Sequence, residues 1–248
     1  MSDLTEPFLH YDKDDDIDNE DMEKEIASKI REGFVFKVYG IISYQMILTS
    51  LIVYLGLVSS WFQGLLLKSS PFFFINVIIT FTCLFLPIFS PQVYQKVPLN
   101  YIILTLFTFS YSCIISAETC LYSQSSVMVA LLLTVITVLT LTYYARTTKK
   151  DFTVSGGTLL VCTVLLIVSG IIFMLIRIPF SNLLIIYGSL VLFSIYLIYD
   201  TQLLIGKGRM KFSEDDYILA AINIYLDIIV LFLKILRIFG EKKNSNNI

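Results

Sequence analysis

The feature that most constrains this chain is a succession of apolar runs, each about twenty residues long, joined by short polar connections. A run of that length crosses the ~30 Å hydrocarbon core of a bilayer as a helix. The runs fall at about 37–58, 71–91, 99–120, 125–145, 154–176 and 180–205, with a weaker seventh near 215–238. In lipid every backbone N–H and C=O must be satisfied within its own segment, so an open chain is helical there. The sequence therefore predicts an all-α fold: a polytopic membrane bundle of seven helices, or of six plus a re-entrant C-terminal helix. Composition agrees, with 56% hydrophobic and 15% charged residues, against about 25% charged in a soluble domain.

The charges are segregated. Twelve of the twenty acidic residues lie between Met1 and Lys37. Residues 1–33 read as a disordered acidic tail, 34–238 as the helical bundle, and 239–248 as a short polar C-terminal tail. Lys and Arg in short loops set orientation. Lys29, Arg31, Lys37, Lys96, Arg146, Lys149, Lys150, Lys207, Arg209 and Lys211 fall on one side, and only Lys68 and Arg177 in the loops of the other. The N-terminus is thus expected in the cytosol. The last segment conflicts with this count. If it spans, Lys234, Arg237, Lys242 and Lys243 reach the opposite side; if it is re-entrant, they stay cytosolic. Its length favours a span. The first apolar run follows an acidic tail and lacks a basic leader, so the first membrane helix is read as the insertion signal.

Several chemistries are disfavoured. His10, in the tail, is the sole histidine, so no His-based catalytic site is expected in the membrane. Cys83, Cys113, Cys120 and Cys162 form no C-x-x-C pair, so neither a disulfide framework nor a zinc site is indicated. Asp12, Asp14, Asp16 and Asp18 with Glu23 reproduce the oxygen spacing of an EF-hand, but Ile17 stands where the turn requires glycine. A solvated acidic tail is the better reading. Trp61, Tyr94, Tyr143 and Tyr144 lie near span ends, where amphipathic rings favour the interface. Pro87 is placed to kink the second span, Pro98 and Pro179 to start helices, and Ser213 with Asp216 to form a capping box.

Beyond the tail, three acids interrupt apolar helices: Glu118, Asp200 and Asp227. A carboxylate at mid-bilayer costs roughly 2.5–3.5 kcal/mol on insertion scales and is functional by default. Ser189, Tyr196 and Asp200 share one helix face, with Tyr199 beside them; Asn223 and Asp227, four apart, share another. If the sixth helix ends near Arg209 and the seventh begins near Asp216, the two aspartates lie roughly 14 and 16 Å from the loop. They would then face each other. Two carboxylates in one low-dielectric pocket cannot both ionise cheaply, so they are expected to share a proton. Ca²⁺, which takes oxygen ligands, would compete with that proton. The plainer alternative is that each aspartate hydrogen-bonds a partner helix as packing glue. Glu118, near the end of the third span, either lines an ion path or sits in water at headgroup level.

These segments resemble the transmembrane Bax-inhibitor-motif (Lifeguard) family, closest to its Golgi anti-apoptotic branch. The likeness rests on Phe36-Lys37-Val38-Tyr39-Gly40-Ile41, Pro98-Leu99-Asn100 with Phe107-Thr108, Lys149-Lys150-Asp151-Phe152, Tyr199-Asp200-Thr201, Asp216-Tyr217-Ile218-Leu219-Ala220 and Ile224-Tyr225-Leu226-Asp227-Ile228-Ile229. It implies a bundle around a central helix with paired aspartates, here Asp200 and Asp227. It further implies pH-sensitive Ca²⁺ leak from endoplasmic reticulum or Golgi stores and protection from cell death. Two positions depart from the pattern. Tyr111 stands where close relatives have Glu, with Glu118 two turns on along the same face, and Val230 stands where relatives often have Asn. With no basic residue in 71–91, no latch from that span to either aspartate is expected.

The expected function is a proton- and Ca²⁺-sensitive leak channel, not an enzyme. Asp200 and Asp227 form the gate and transient Ca²⁺ site, and Glu118, Tyr111, Tyr196, Tyr199 and Asn223 line or support the path. No cofactor is expected, with Ca²⁺ the permeant ion. The expected partners are the lipid bilayer, protons, cell-death regulators and store-release channels, with no nucleic acid; an oligomer is compatible. The alternative is a non-conducting scaffold for cell-death partners. An intramembrane aspartyl protease shares Tyr-Asp but needs Gly-x-Gly-Asp, which Asp227 lacks. A seven-helix receptor would need Asp-Arg-Tyr and Asn-Pro-x-x-Tyr, both absent.

Overall fold

The structure, a computed structural model, describes residues 13–176 and 181–243. Eight α-helices occur among the described residues, with no strand: α1 (Lys13–Val58), α2 (Ser60–Lys68), α3 (Ser70–Phe89), α4 (Leu99–Thr119), α5 (Gln124–Thr147), α6 (Gly156–Ile176), α7 (Ser181–Ile205) and α8 (Tyr217–Phe239). Seven are long and apolar enough to cross a membrane, matching the expected spans. The protein is a polytopic membrane helical bundle.

Helix α8 is the axis. It packs against α7, α5, α1 and α4, while α3 lies on α4 and α6 chiefly on α7. Of the most apolar stretch of α8, 61% is buried in protein; of α6, 6%. α6 is therefore the peripheral, lipid-facing helix. Since lipid is as apolar as Leu, helices in a bilayer associate through close packing and buried polar contacts. Both are present between α1, α4 and α8. Thr49 Oγ1 lies 2.8 Å from both Ser112 Oγ and Tyr225 Oη, and Gln45 Nε2 donates to Thr108 Oγ1 at 3.1 Å. Tyr225 also meets Phe107 and Tyr111 edge to face, at centroid distances of 6.1 Å.

Helix α8 runs unbroken from one face of the bundle to the other. At its start, Asp216 Oδ1 accepts from Gln95 Nε2 at 3.1 Å, in the α3–α4 connection. Just past its end, the backbone pairs with the α4–α5 turn through Ser123 N to Glu241 O (3.0 Å) and Lys243 N to Leu121 O (2.9 Å). It is a full-length helix, not a re-entrant one. Arg237, Lys242 and Lys243 thus lie on the face opposite the N-terminus.

Four expectations are corrected. First, the acidic segment is not disordered throughout, since the backbone is helical from Lys13 onward. No Gly or Pro occurs from 13 to 32, and Lys29 pairs with Glu25 at 2.7 Å one turn away, both helix-favouring. This also removes a calcium loop at Asp14–Asp18; residues 1–12 lie outside the described residues. Second, α2 occupies what read as a connection, capped by Ser59 Oγ accepting from Phe62 N at 3.4 Å. Third, Tyr94 is buried, not interfacial, and donates to Cys83 O at 2.6 Å. Pro87 explains this: it lacks the N–H that would bond the carbonyl four residues back, which is that of Cys83, and Tyr94 supplies the missing donor. Fourth, no capping box opens the last helix. Asp216 itself is the N-cap of α8, preceded by a 3-10 turn at Glu214–Asp216, and its carboxylate is turned to Gln95. Pro98 starts α4 as expected, while Pro179 and Arg177 fall outside the described residues.

Candidate functional site

Asp200 on α7 and Asp227 on α8 are each 4% exposed. Their carboxyl groups lie within interaction reach of each other across the α7–α8 interface. Two ionised carboxylates have no donor to offer, so a hydrogen bond between them would require one to be protonated. Asp227 Oδ2 is fully buried and has no hydrogen-bond partner among the described residues. An acceptor left bare inside protein is costly.

The pair forms although α7 ends at Ile205, four residues before the expected Arg209. Asp200 is then about 8 Å from its helix end, while Asp227 is about 15 Å from the start of α8. The eleven-residue connection absorbs the difference. Gly206, at φ +68°, turns the chain out of the helix, as a residue without Cβ does readily. Phe212 N then folds back onto Leu203 O at 3.3 Å, so α8 begins farther out than α7 ends.

Tyr196 lies one turn from Asp200, within electrostatic reach of both carboxyls. Its hydroxyl is 2.9 Å from Thr163 Oγ1 of α6, and Tyr199 meets its ring edge-on. Tyr199 Oη packs onto Gly156 at the start of α6, where an added Cβ would stand 2.6 Å away. The two tyrosines therefore tie α6 to the aspartate-bearing helix. Ser189 is buried and donates to Ile185 O at 2.7 Å.

Asn223 lies one turn before Asp227 on α8, whereas Tyr111 and Glu118 lie elsewhere. Tyr111 belongs to the aromatic cluster with Phe107 and Tyr225. Asn223 is half-buried and makes no hydrogen bond among the described residues. Glu118 accepts from Arg237 Nε at 2.6 Å, and Arg237 is ten residues beyond Asp227, about 15 Å along the helix. Glu118 is thus a neutralised acid at the far end of the bundle, not a third member of the pair. Among the described residues no group of three or more His, Cys, Asp or Glu converges on a metal position.

A polar knot that sequence reading missed closes the N-terminal face over the pair. Gln202, two residues after Asp200, accepts from Phe152 N at 2.8 Å and donates to Lys150 O at 2.9 Å. Asp151 Oδ1 accepts from Thr153 N (2.9 Å) and Thr153 Oγ1 (2.6 Å), and its Oδ2 from Arg209 N at 3.0 Å. These bonds, the Thr153 hydroxyl foremost, hold the Asp151 carboxyl below the usual carboxylate range. Its contribution is present above the unfolded value and lost only as pH falls through the lowered folded one, so the knot persists at neutral pH. Arg31 of α1 completes the closure, donating to Phe212 O at 2.7 Å and to Leu203 O, with Glu214 3.9 Å away. The run of basic loop residues had signalled topology; nothing in the pattern singled out Arg31 as the C-terminal cap of α7.

The family model described as "Inhibitor of apoptosis-promoting Bax1" matches residues 31–244. A "BI1-like protein" of Arabidopsis thaliana is 36% identical over 224 residues, covering 88% of this chain and 84% of that protein. "Protein lifeguard 3" of Homo sapiens is 28% identical over 218 residues, 86% of this chain and 70% of that protein, and the Mus musculus protein of the same name is similar at 28% over 219 residues. The matched region begins at Arg31 and takes in every helix that crosses the bundle, both aspartates and the knot above them, so the chain belongs to the Bax inhibitor/lifeguard family of integral membrane proteins.

Proposed function

We propose that the protein is a pH-sensitive Ca²⁺ leak channel of Golgi or endoplasmic reticulum membranes, with its N-terminus in the cytosol. It lowers store Ca²⁺ and so protects against apoptosis. The observation that carries this reading is the sealed Asp200–Asp227 contact, with one buried oxygen of Asp227 unpartnered. A shared proton favours the closed pair. Its loss places two like charges in contact at low dielectric, which pushes α7 and α8 apart. Ca²⁺ seeks about six to eight oxygen ligands; two carboxylates offer too few for a resident site and enough for a passing ion. Membership of a family described as inhibiting apoptosis-promoting Bax1 supports the protective role.

The test is Ca²⁺ flux from proteoliposomes between pH 6 and 8. Wild-type flux should rise with pH as the pair loses its proton. Asp200→Asn with Asp227→Asn, which cannot ionise, should remove the pH dependence. No leak above empty liposomes from folded protein would leave a scaffold. One feature favours that second reading: Met22, Ile26 and Ile30 lie exposed at helical spacing on the α1 extension, as a partner-binding helix face would present them.

A further inference from the structure

The end of the bundle opposite the N-terminus holds a cavity of about 740 Å³ between the α2–α3 turn, α4, α7 and α8. Its walls are apolar, from Leu66, Phe73, Phe74 and Ile185. Its polar side carries Glu118, Arg237 and Lys242. Arg237 Nε is spent on Glu118. The rest of its guanidinium, and the Lys242 ammonium, bond no described residue. The lining thus holds two cations against one carboxylate already paired. A cation would meet no free acid there, whereas an anion would meet unspent donors.

The walls indicate which anion. Phe74 is 62% exposed on the outside of the bundle and also lines the cavity, so the site opens sideways toward lipid. Trp61, 75% exposed on neighbouring α2, marks the depth at which amphipathic rings settle, the headgroup level. A volume of this size suits a lipid headgroup and the first part of its chains. The same site accounts for the topological anomaly of α8. Arg237 and Lys242 lie on the face where basic residues are normally sparse, and there they surround a cavity.

We propose that this cavity binds an anionic phospholipid, its phosphate between Arg237 and Lys242 and its chains against Phe73 and Phe74. The site stands apart from the leak reading, and its test reads lipid retention, not flux. Purified full-length protein is titrated with phosphatidylglycerol or phosphatidylcholine, and bound lipid is counted by native mass spectrometry. Wild type should prefer the anionic lipid. Lys242→Gln should reduce that preference about fivefold, the usual effect of one basic residue near an anionic surface, with unchanged thermal unfolding. Lys242→Glu should abolish the preference, and Lys96→Gln, on the other face, should leave it intact. Inorganic phosphate should not compete, because it lacks the chains. Equal retention of both lipids, an unaltered preference in the Lys242 variants, or displacement by inorganic phosphate would each overturn the proposal, the last by showing a free-anion site instead.

Discussion

A carbonyl that has lost its donor inside a membrane must find another, and Cys83 shows how one residue meets that demand. Pro87 removes the helical partner of Cys83 O, and the Tyr94 hydroxyl replaces it at 2.6 Å. The bond crosses from the 3-10 turn after α3 back into that helix, so it also fixes how the chain turns toward α4. Tyr94→Phe keeps the ring and leaves the carbonyl bare. The expected loss is about 1–3 kcal/mol, the cost of an unsatisfied buried group. In a Pro87→Ala background the backbone N–H of residue 87 can take the carbonyl itself, so the same Tyr94→Phe change should cost much less. Thermal unfolding of the four proteins in one detergent measures the cycle. Equal losses in both backgrounds would mean that the hydroxyl acts through something other than this carbonyl.

At the scale of elements, α1 and α4 approach closely because Gly56 has no side chain. A Cβ there would collide with Ser116 Oγ and stand 3.2 Å from Cys120 Sγ. Cys120 Sγ also reaches Gly56 O at 3.2 Å, and Ser116 Oγ donates to Ile52 O at 3.2 Å. Gly56→Ala should destabilise the bundle by about 1–3 kcal/mol, the range for overpacking, and Ser116→Gly should restore much of that loss. Chemical unfolding in micelles is the measurement. Such a contact is invisible in sequence, where Gly56 is one glycine in an apolar run. The spans themselves were legible because length and apolarity are one-dimensional properties. So were Asp200 and Asp227, since an acid in lipid is conspicuous wherever it points. Their meeting is legible only in part: α7 ends at Ile205, four residues before the pattern suggests, and the fold-back at Phe212 compensates for the difference. Glu118 was ambiguous because its partner, Arg237, lies 119 positions away. The helical part of the acidic segment is hard to read from sequence because its high charge masks good helix propensity.

The whole molecule poses a conflict between charge and architecture, and the architecture is specific about its outcome. Seven crossings place the two ends of the bundle on opposite faces. Positive loop charge argues for holding the C-terminal Lys and Arg residues on the N-terminal side. Three observations set against that count. Helix α8 is continuous over 23 residues, its end pairs with the α4–α5 turn, and Arg237 is neutralised by Glu118 at that end. A re-entrant α8 would forfeit the backbone pairing and leave both partners of the ion pair single. It would also withdraw Tyr225 from Thr49, emptying the centre of the bundle. The loop-charge rule counts residues as if each were free, whereas Arg237 has a partner and so weighs less in orientation. The expected outcome is that a small tag after Ile248 is labelled only from the side opposite to a tag before Met1. Intact and selectively permeabilised cells, probed with an impermeant reagent, distinguish the two sides. Glu118→Gln supplies the sharper test: with Arg237 unpaired, the full positive charge returns to the count, and a fraction of molecules should present both tags on one side. Wild-type protein with both tags on the same side would mean that α8 does not cross, and the bundle would then need a different centre.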